Sequence, residues 1–363
     1  MSLLIKNGIV IPMEDKRIIN KGAVFVNEDR IIEVGKTNVL EKKYRAEQVI
    51  DASWKLVLPG FIDAHDHIDG MVLARNVGVD LPLVEMLQTI KWPLLTNMGE
   101  TDFYLGSLIG YIDRIRTGAT TIANNYYGPK GLNTDGVAQA ALDSGARVLL
   151  VWEYSDSQAS PGHPPEEFLW SQKEVLNEYS RLFRQWHHKG EGKLTVWGSP
   201  VDLPICSPET IIKVAALVRK YGSGLQTHAD ESKEEIAMVK KKFNGLSYLE
   251  VFHNLGVLNT LFSAAHCVWI NPQEIKYLRQ AGASVVHNPL SNNYIAGGIA
   301  PIATMLQKGV NVALGADGYM GMIEEMRHAI NLQRIKMKNN PRSKRVLFYQ
   351  HLNRRFFQNL LIA

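Results

Sequence analysis

The chain has 363 residues, 45% hydrophobic and 21% charged, a balance that supports a sizeable core and excludes disorder. No apolar run approaches the ~20 residues of a membrane span, the start Met1-Ser-Leu-Leu-Ile-Lys6 lacks the features of a secretory leader, and Cys206 and Cys267 cannot build a disulfide framework. A cytoplasmic protein without a membrane partner is expected. The net charge of +4 is uneven, since nine Lys and Arg but no Asp or Glu follow Glu325. We read that end as a solvated helical face, so nucleic acid is not among the expected partners.

Residues 3–50 read as short strands and turns. Leu3–Pro12 is rich in β-formers, Gly22-Ala-Val-Phe-Val-Asn27 runs into a turn, and Ile31–Gly35 pairs back. Glu41–Glu47 is a short helix or loop. From residue 56 the pattern changes to strands separated by long helical segments. Strands are expected at 57–65, 119–125, 146–152, 194–200, 223–228, 260–266, 283–287 and 311–317. Helices are expected at 101–117, 133–144, 168–187, 208–221, 232–241, 272–280 and 301–308, several opened by caps such as Ser207-Pro208 and Asn271-Pro272. Eight βα units predict an α/β fold, a (β/α)8 TIM barrel, with a small, incomplete β-sandwich before it. The predicted divisions are 1–55 for the sandwich half, 56–330 for the barrel and 331–363 for a basic helical tail.

In such a barrel, chemistry sits at the C-terminal ends of the strands. The first strand ends in His65-Asp-His67, and residues i and i+2 of a strand share one face. The fifth ends in His228 with Glu231 three residues on, the sixth in His266, the seventh in His287 and the eighth in Asp317. Five of the eleven histidines thus fall at strand ends. A single histidine there is most simply a hydrogen-bonded structural residue, and His287 before Asn-Pro fits that description. The set offers three imidazoles and a carboxylate to one ion, with an acid and a histidine left for proton transfer.

Pro59-Gly-Phe-Ile-Asp-Ala-His65-Asp-His67, Thr227-His228-Ala-Asp-Glu231, Ala265-His266-Cys-Val, His287-Asn-Pro and Ala313-Leu-Gly-Ala-Asp317-Gly318 together resemble the amidohydrolase superfamily. Within it they are similar to the aromatic deaminases and the triazine or chlorohydrolase-type enzymes, from about residue 3 to about 335. The resemblance implies His65, His67, His228 and Asp317 as ligands of one divalent ion, zinc by default with iron as the alternative. The fourth strand ends Gly198-Ser-Pro-Val-Asp202, without the bridging lysine of two-metal members. It further implies that Asp317 takes a proton from a water acidified by the ion, that His266 orients that water, and that Glu231 protonates a ring nitrogen and then the leaving amine. The expected activity is deamination of a small nitrogen heterocycle by water. The alternatives are loss of chloride or an alkylamine from a triazine-like ring, or an inactive scaffold.

Tyr126, Tyr127, Trp152, Glu153 and Asp202 are expected near the same face, where the aromatics either meet a flat ring or pack loops. Where adenosine-type members carry a glutamate, an arginine and a histidine, the matching positions here hold Leu94, Trp152 and Val201, which weakens the expectation of a nucleoside substrate. The half-built sandwich leaves strand edges and an apolar face open, which predicts poor solubility or a homo-oligomer.

Overall fold

The computed structural model describes residues 1–13, 17–68, 72–74, 77, 81–131, 134–157, 164–319 and 321–337. The chain divides into two compact units, one from Met1 to Gly60 and one from Phe61 onward. In the first, strands β1 (Ser2–Val10), β2 (Ile19–Asn27), β3 (Arg30–Lys36) and β4 (Gln48–Asp51) lie in the order β3-β2-β1-β4, and β5 (Leu56–Val57) also pairs with β1. The helix Thr37–Lys43 packs Leu40 against Leu4, Ala23 and Phe25. Phe25 also stacks on Tyr44 at 4.1 Å. Ile31, Ile32, Val49, Ile50, Trp54 and Leu56 are at least half exposed. The unit is therefore one mixed sheet with a helix against it. The short strand β5 lies where the sequence pattern placed the start of the barrel.

The second unit is a parallel eight-stranded barrel with surrounding helices. Its strands are β6 (Phe61–Asp66), β7 (Ala119–Tyr126), β8 (Arg147–Tyr154), β9 (Leu194–Pro200), β10 (Leu225–Ala229), β11 (Phe262–His266), β12 (Ser284–His287) and β13 (Asn311–Leu314), each beside its sequence neighbour. Inside, Ala64, Ala123, Leu149, Val151, Trp197, Val286 and Ala313 fill the lumen, small residues making room for Trp197. Outside, residues such as Val148, Leu182, Val214 and Leu278 bury against the helices. These helices begin where the sequence supplies caps. Ser171 with Glu174, Ser232 with Glu235 and Asn271 with Glu274 form reciprocal capping boxes, each contributing about 1 kcal/mol. Gly145 and Gly282 end theirs at φ 76° and 68°, a left-handed conformation that glycine adopts without strain.

The last strand meets the first through side chains as well as backbone. Asp63 Oδ1 accepts from the Ala316 N–H at 2.9 Å, Asp66 Oδ1 from the Gly318 N–H at 2.6 Å, and the Asp317 N–H donates to the His65 carbonyl at 3.0 Å. A register shift between Asp63 and Asp66 on β6 turns both carboxylates toward Arg114. The guanidinium is fully buried and lies 2.6 Å from Asp66 and 3.4 Å from Asp63.

Some helical segments were not expected from the pattern. Tyr248–Asn254 and Pro289–Tyr294 are α-helical, and Met322–Met337 is a helix that takes in the start of the basic stretch expected to be helical. Residues 83–97 form one helix with a π-turn at Leu87–Lys91. Pro93 has no N–H to donate back to Thr89, and the helix accommodates that missing bond by widening. The part of the basic tail from residue 338 lies outside the described residues.

Candidate metal centre

Each strand end delivers its residue to one point. His65 and His67 leave β6 on the same face, with ring centroids 5.0 Å apart. The rings of His67 and His228 are 5.3 Å apart and parallel within 2°. His266 and Asp317 adopt φ of 69° and 52° just as their strands end, a strained left-handed turn that directs both side chains inward. Asp317 Oδ1 lies 3.1 Å from His65 Nε2 and 3.4 Å from His67 Nε2, and its Oδ2 lies 3.8 Å from His266 Nε2.

Hydrogen bonds behind the rings fix their tautomers. Gln226 uses its amide N–H groups on the Ala64 carbonyl and Ser263 Oγ, so its oxygen must accept, and His65 Nδ1 donates to it at 2.7 Å. His67 Nδ1 donates to the Asn125 carbonyl at 2.9 Å, and His228 Nδ1 to the Val201 carbonyl at 2.7 Å. In the neutral rings every Nε2 therefore carries a lone pair, and all three face Asp317. His67 Nε2 and His228 Nε2 stand 3.2 Å apart, too close for two acceptors unless a cation lies between them. Three imidazole nitrogens and a carboxylate, each held from behind, fit a divalent transition metal. His65, His228, His266 and Asp317 have ligand atoms within 4.8 Å of one another, as do His67, Glu153 and His228.

The electrostatics point the same way. Burial, then the neighbouring Lys91 ammonium and His65, hold His67 well below its ordinary pKa. Burial and the other three imidazoles do the same for His228. Burial opposes ionisation of Asp317, but His266, His65 and His67 outweigh it and keep the carboxylate charged. Burial also opposes charging His65, and Asp317 beside it reverses the balance, raising it.

Beside this group stand Glu231 and His266. Burial, with the charges of Asp317 and Asp202, pushes Glu231 up to about 8, so it carries its proton at neutral pH. It lies one residue before the helix cap. Glu235, not Glu231, accepts the helix-start N–H groups. Burial pulls His266 down to about 4, and its Nδ1 donates to Asn292 at 2.8 Å. His266 Nδ1 is 3.6 Å from Glu231. His287 is buried, with neither ring nitrogen hydrogen-bonded, and burial holds it near pKa 3.

A pocket opens over the cluster, lined by His67, His228, Glu231, His266 and Asp317. Its walls are Leu83, Val84, Met86, Leu87 and Trp92 on one helix, with Val201, Ile205, Met238, Ile295 and Tyr319. Asp202 also lines it, held by the Tyr248 hydroxyl at 2.5 Å. Tyr126, Tyr127 and Trp152 do not; all three are buried in the core, where Tyr127 pairs with Ser155 and Trp152 packs on Trp170. Of the two readings of these aromatics, packing is the one realised, and the pocket's own aromatics are Trp92 and Tyr319. Glu153 lies behind His228 at 3.7 Å. Gln226 could have been suspected from its place two residues before His228, on the same strand face. Asn125 and Val201 act through backbone carbonyls, which leave no mark on a sequence.

A model of the amidohydrolase family matches residues 56–348. Among curated proteins, a 5-methylthioadenosine/S-adenosylhomocysteine deaminase of Thermoanaerobacter pseudethanolicus is 32% identical over 343 residues, 92% of this chain and 74% of the relative. A 5'-deoxyadenosine deaminase of Methanosarcina mazei is 33% identical over 346 residues, 93% and 75% of the two chains. The zinc-bound crystal structure of an adenosine deaminase from Xanthomonas campestris superposes with a TM-score of 0.83 at 25% identity, covering 92% of this chain and 74% of that one.

Proposed function

The chain belongs to the amidohydrolase family, and from that premise we propose a mononuclear aminohydrolase in which His65, His67, His228 and Asp317 hold one ion, zinc by default. The carrying observation is the set of three Nε2 lone pairs fixed by Nδ1 hydrogen bonds and aimed at one carboxylate. When bound there, the ion supplies Lewis acidity that brings the pKa of a water toward neutrality. Asp317, kept ionised by its histidines, takes the proton of that water. His266, neutral and anchored to Asn292, orients it with Nε2. Glu231, protonated at pH 7, donates to a ring nitrogen as the sp² carbon is attacked, then takes the remaining water proton from the adduct's hydroxyl and passes it to the departing amine as ammonia leaves, and the proton held by Asp317 restores its acid form.

A carboxylic acid in this place favours an amine leaving group over chloride, which departs without a proton. The confronted lone pairs likewise speak against a metal-free scaffold. The relatives' names make aminopurine nucleosides altered at the 5′ position the first substrates to assay, in a reducing cytoplasmic setting that suits the two free cysteines. The test joins metal analysis with ammonia release across a panel of amino-substituted purines, pyrimidines and triazines. About one ion per chain, lost in His228→Ala and Asp317→Ala, with ammonia release strongly reduced by Glu231→Gln, is expected. A folded metal-free protein, or release undiminished in Glu231→Gln, would overturn the assignment.

A further inference from the structure

Lys91 is 8% exposed and lines the pocket over the candidate metal centre. Among the described residues it forms no ion pair, and its one ring contact is with Trp92, 5.6 Å from ammonium to centroid, near the outer limit for such an interaction. The other charges of the pocket are already answered. Asp317 faces the histidines. Asp202 accepts from Tyr248 and is hydrogen-bonded to Glu235, whose own carboxyl burial pushes well above the ordinary range. Glu231 faces His266, its Oε1 3.6 Å from Nδ1. A buried ammonium that shares its pocket with Leu83, Val84, Leu87 and Trp92 and has no ion-pair partner among the described residues is costly. The π-turn that ends at Lys91 re-phases the helix at this position, a device that recurs at functional sites.

We propose that Lys91 is a specificity-determining residue: the heterocycle this pocket accepts carries a single anionic substituent, a carboxylate, that pairs with the Lys91 ammonium on the helix wall. The inference rests on the aminohydrolase reading for the heterocycle and on the pocket alone for the anion. One point charge among apolar walls suits a monoanion, and the Asp202 carboxylate in the same pocket disfavours a dianionic phosphate.

The test uses charge-matched pairs on the full-length, metal-loaded chain. The probes are adenosine-5′-carboxylate with its 5′-carboxamide, and 4-aminopyrimidine-5-carboxylate with its carboxamide. Dissociation constants are measured by calorimetry, and KM and kcat by ammonia release. In at least one pair the wild type should prefer the carboxylate by about tenfold or more, and any difference in turnover should fall on KM. In Lys91→Met that ratio should collapse toward one, while Lys91→Arg should keep it. The ratio within one protein cancels general damage to the pocket, and the wild-type ratio stands even if a variant fails to fold. No carboxylate preference in either pair, or a preference that survives Lys91→Met, overturns the inference. Ammonia release without charge preference leaves the aminohydrolase reading standing and removes this one. Carboxylate-selective binding through Lys91 without ammonia release does the reverse.

Discussion

Replacing Arg114 by methionine keeps the length of the side chain and removes its charge from a fully buried cluster. The guanidinium bonds Asp66 through Nε at 2.6 Å and through Nη2 at 3.1 Å, with Asp63 at 3.4 Å. Asp63 is held well above its ordinary pKa by burial and by Asp66, with Arg114 opposing. Removing one member of a buried ion pair leaves the other uncompensated, at a cost of about 3–5 kcal/mol. At roughly 0.6 kcal/mol per kelvin for about 300 residues, that is a fall of about 5–8 °C in melting temperature. The damage should also reach the metal centre, because Asp66 and Asp63 accept the N–H groups on either side of Asp317. Calorimetry and metal analysis of Arg114→Met should therefore show a lower transition and substoichiometric metal. Converting both carboxylates to amides in the same chain should recover part of the stability by removing the stranded charge. A melting temperature within about 1 °C of wild type, with full metal content, would refute the reasoning.

Glu231 gives a pH prediction. Its acid form is the functional one, so kcat/KM should hold below about pH 8 and decline above it, and the remaining activity of Glu231→Gln should lack that alkaline limb in a pH–rate series. Because its folded pKa is raised, the protonated carboxyl favours the folded state fully below the ordinary value of 4.5, and that contribution is lost as pH climbs to about 8. Thermal melts of metal-free protein should show this decline flattened in Glu231→Gln. Gly315→Ala should lower both melting temperature and metal content, since a Cβ would sit 2.6 Å from the His65 carbonyl and 2.5 Å from Asn288 Oδ1; overpacking of this kind costs about 1–3 kcal/mol. The exposed Ile50 and Trp54 of the N-terminal unit should drive self-association that light scattering detects and that serine at both positions reduces.

The barrel was legible because its strands are short apolar runs set between capped amphipathic helices, and because its polar residues gather at one end of those runs. His65, His67, His228, His266 and Asp317 could be collected by that rule alone, before any distance was known. What positions them could not. Gln226 meets His65 across 161 residues and Asp66 meets Gly318 across 252, and each is an ordinary polar residue until the barrel closes. Periodicity also left the aromatic strand ends open between lining the pocket and packing. Tyr126 and Trp152 look like pocket residues because they follow the strand, but both lie in the fully buried shell.

The segment 83–97 shows why recognition is harder to read than chemistry. Trp92-Pro93 suggests a loop, since proline breaks the ordinary helical bond pattern. Here the helix absorbs the proline with a π-turn, and Leu83, Met86, Leu87, Lys91 and Trp92 become one wall of the pocket. A metal centre demands particular side chains at particular strand ends, so its residues stand out by type. A pocket wall demands only shape and one well-placed charge, and a lysine between isoleucine and tryptophan attracts no notice until its burial and its lack of a counter-ion are measured. The substrate is therefore to be sought through that charge.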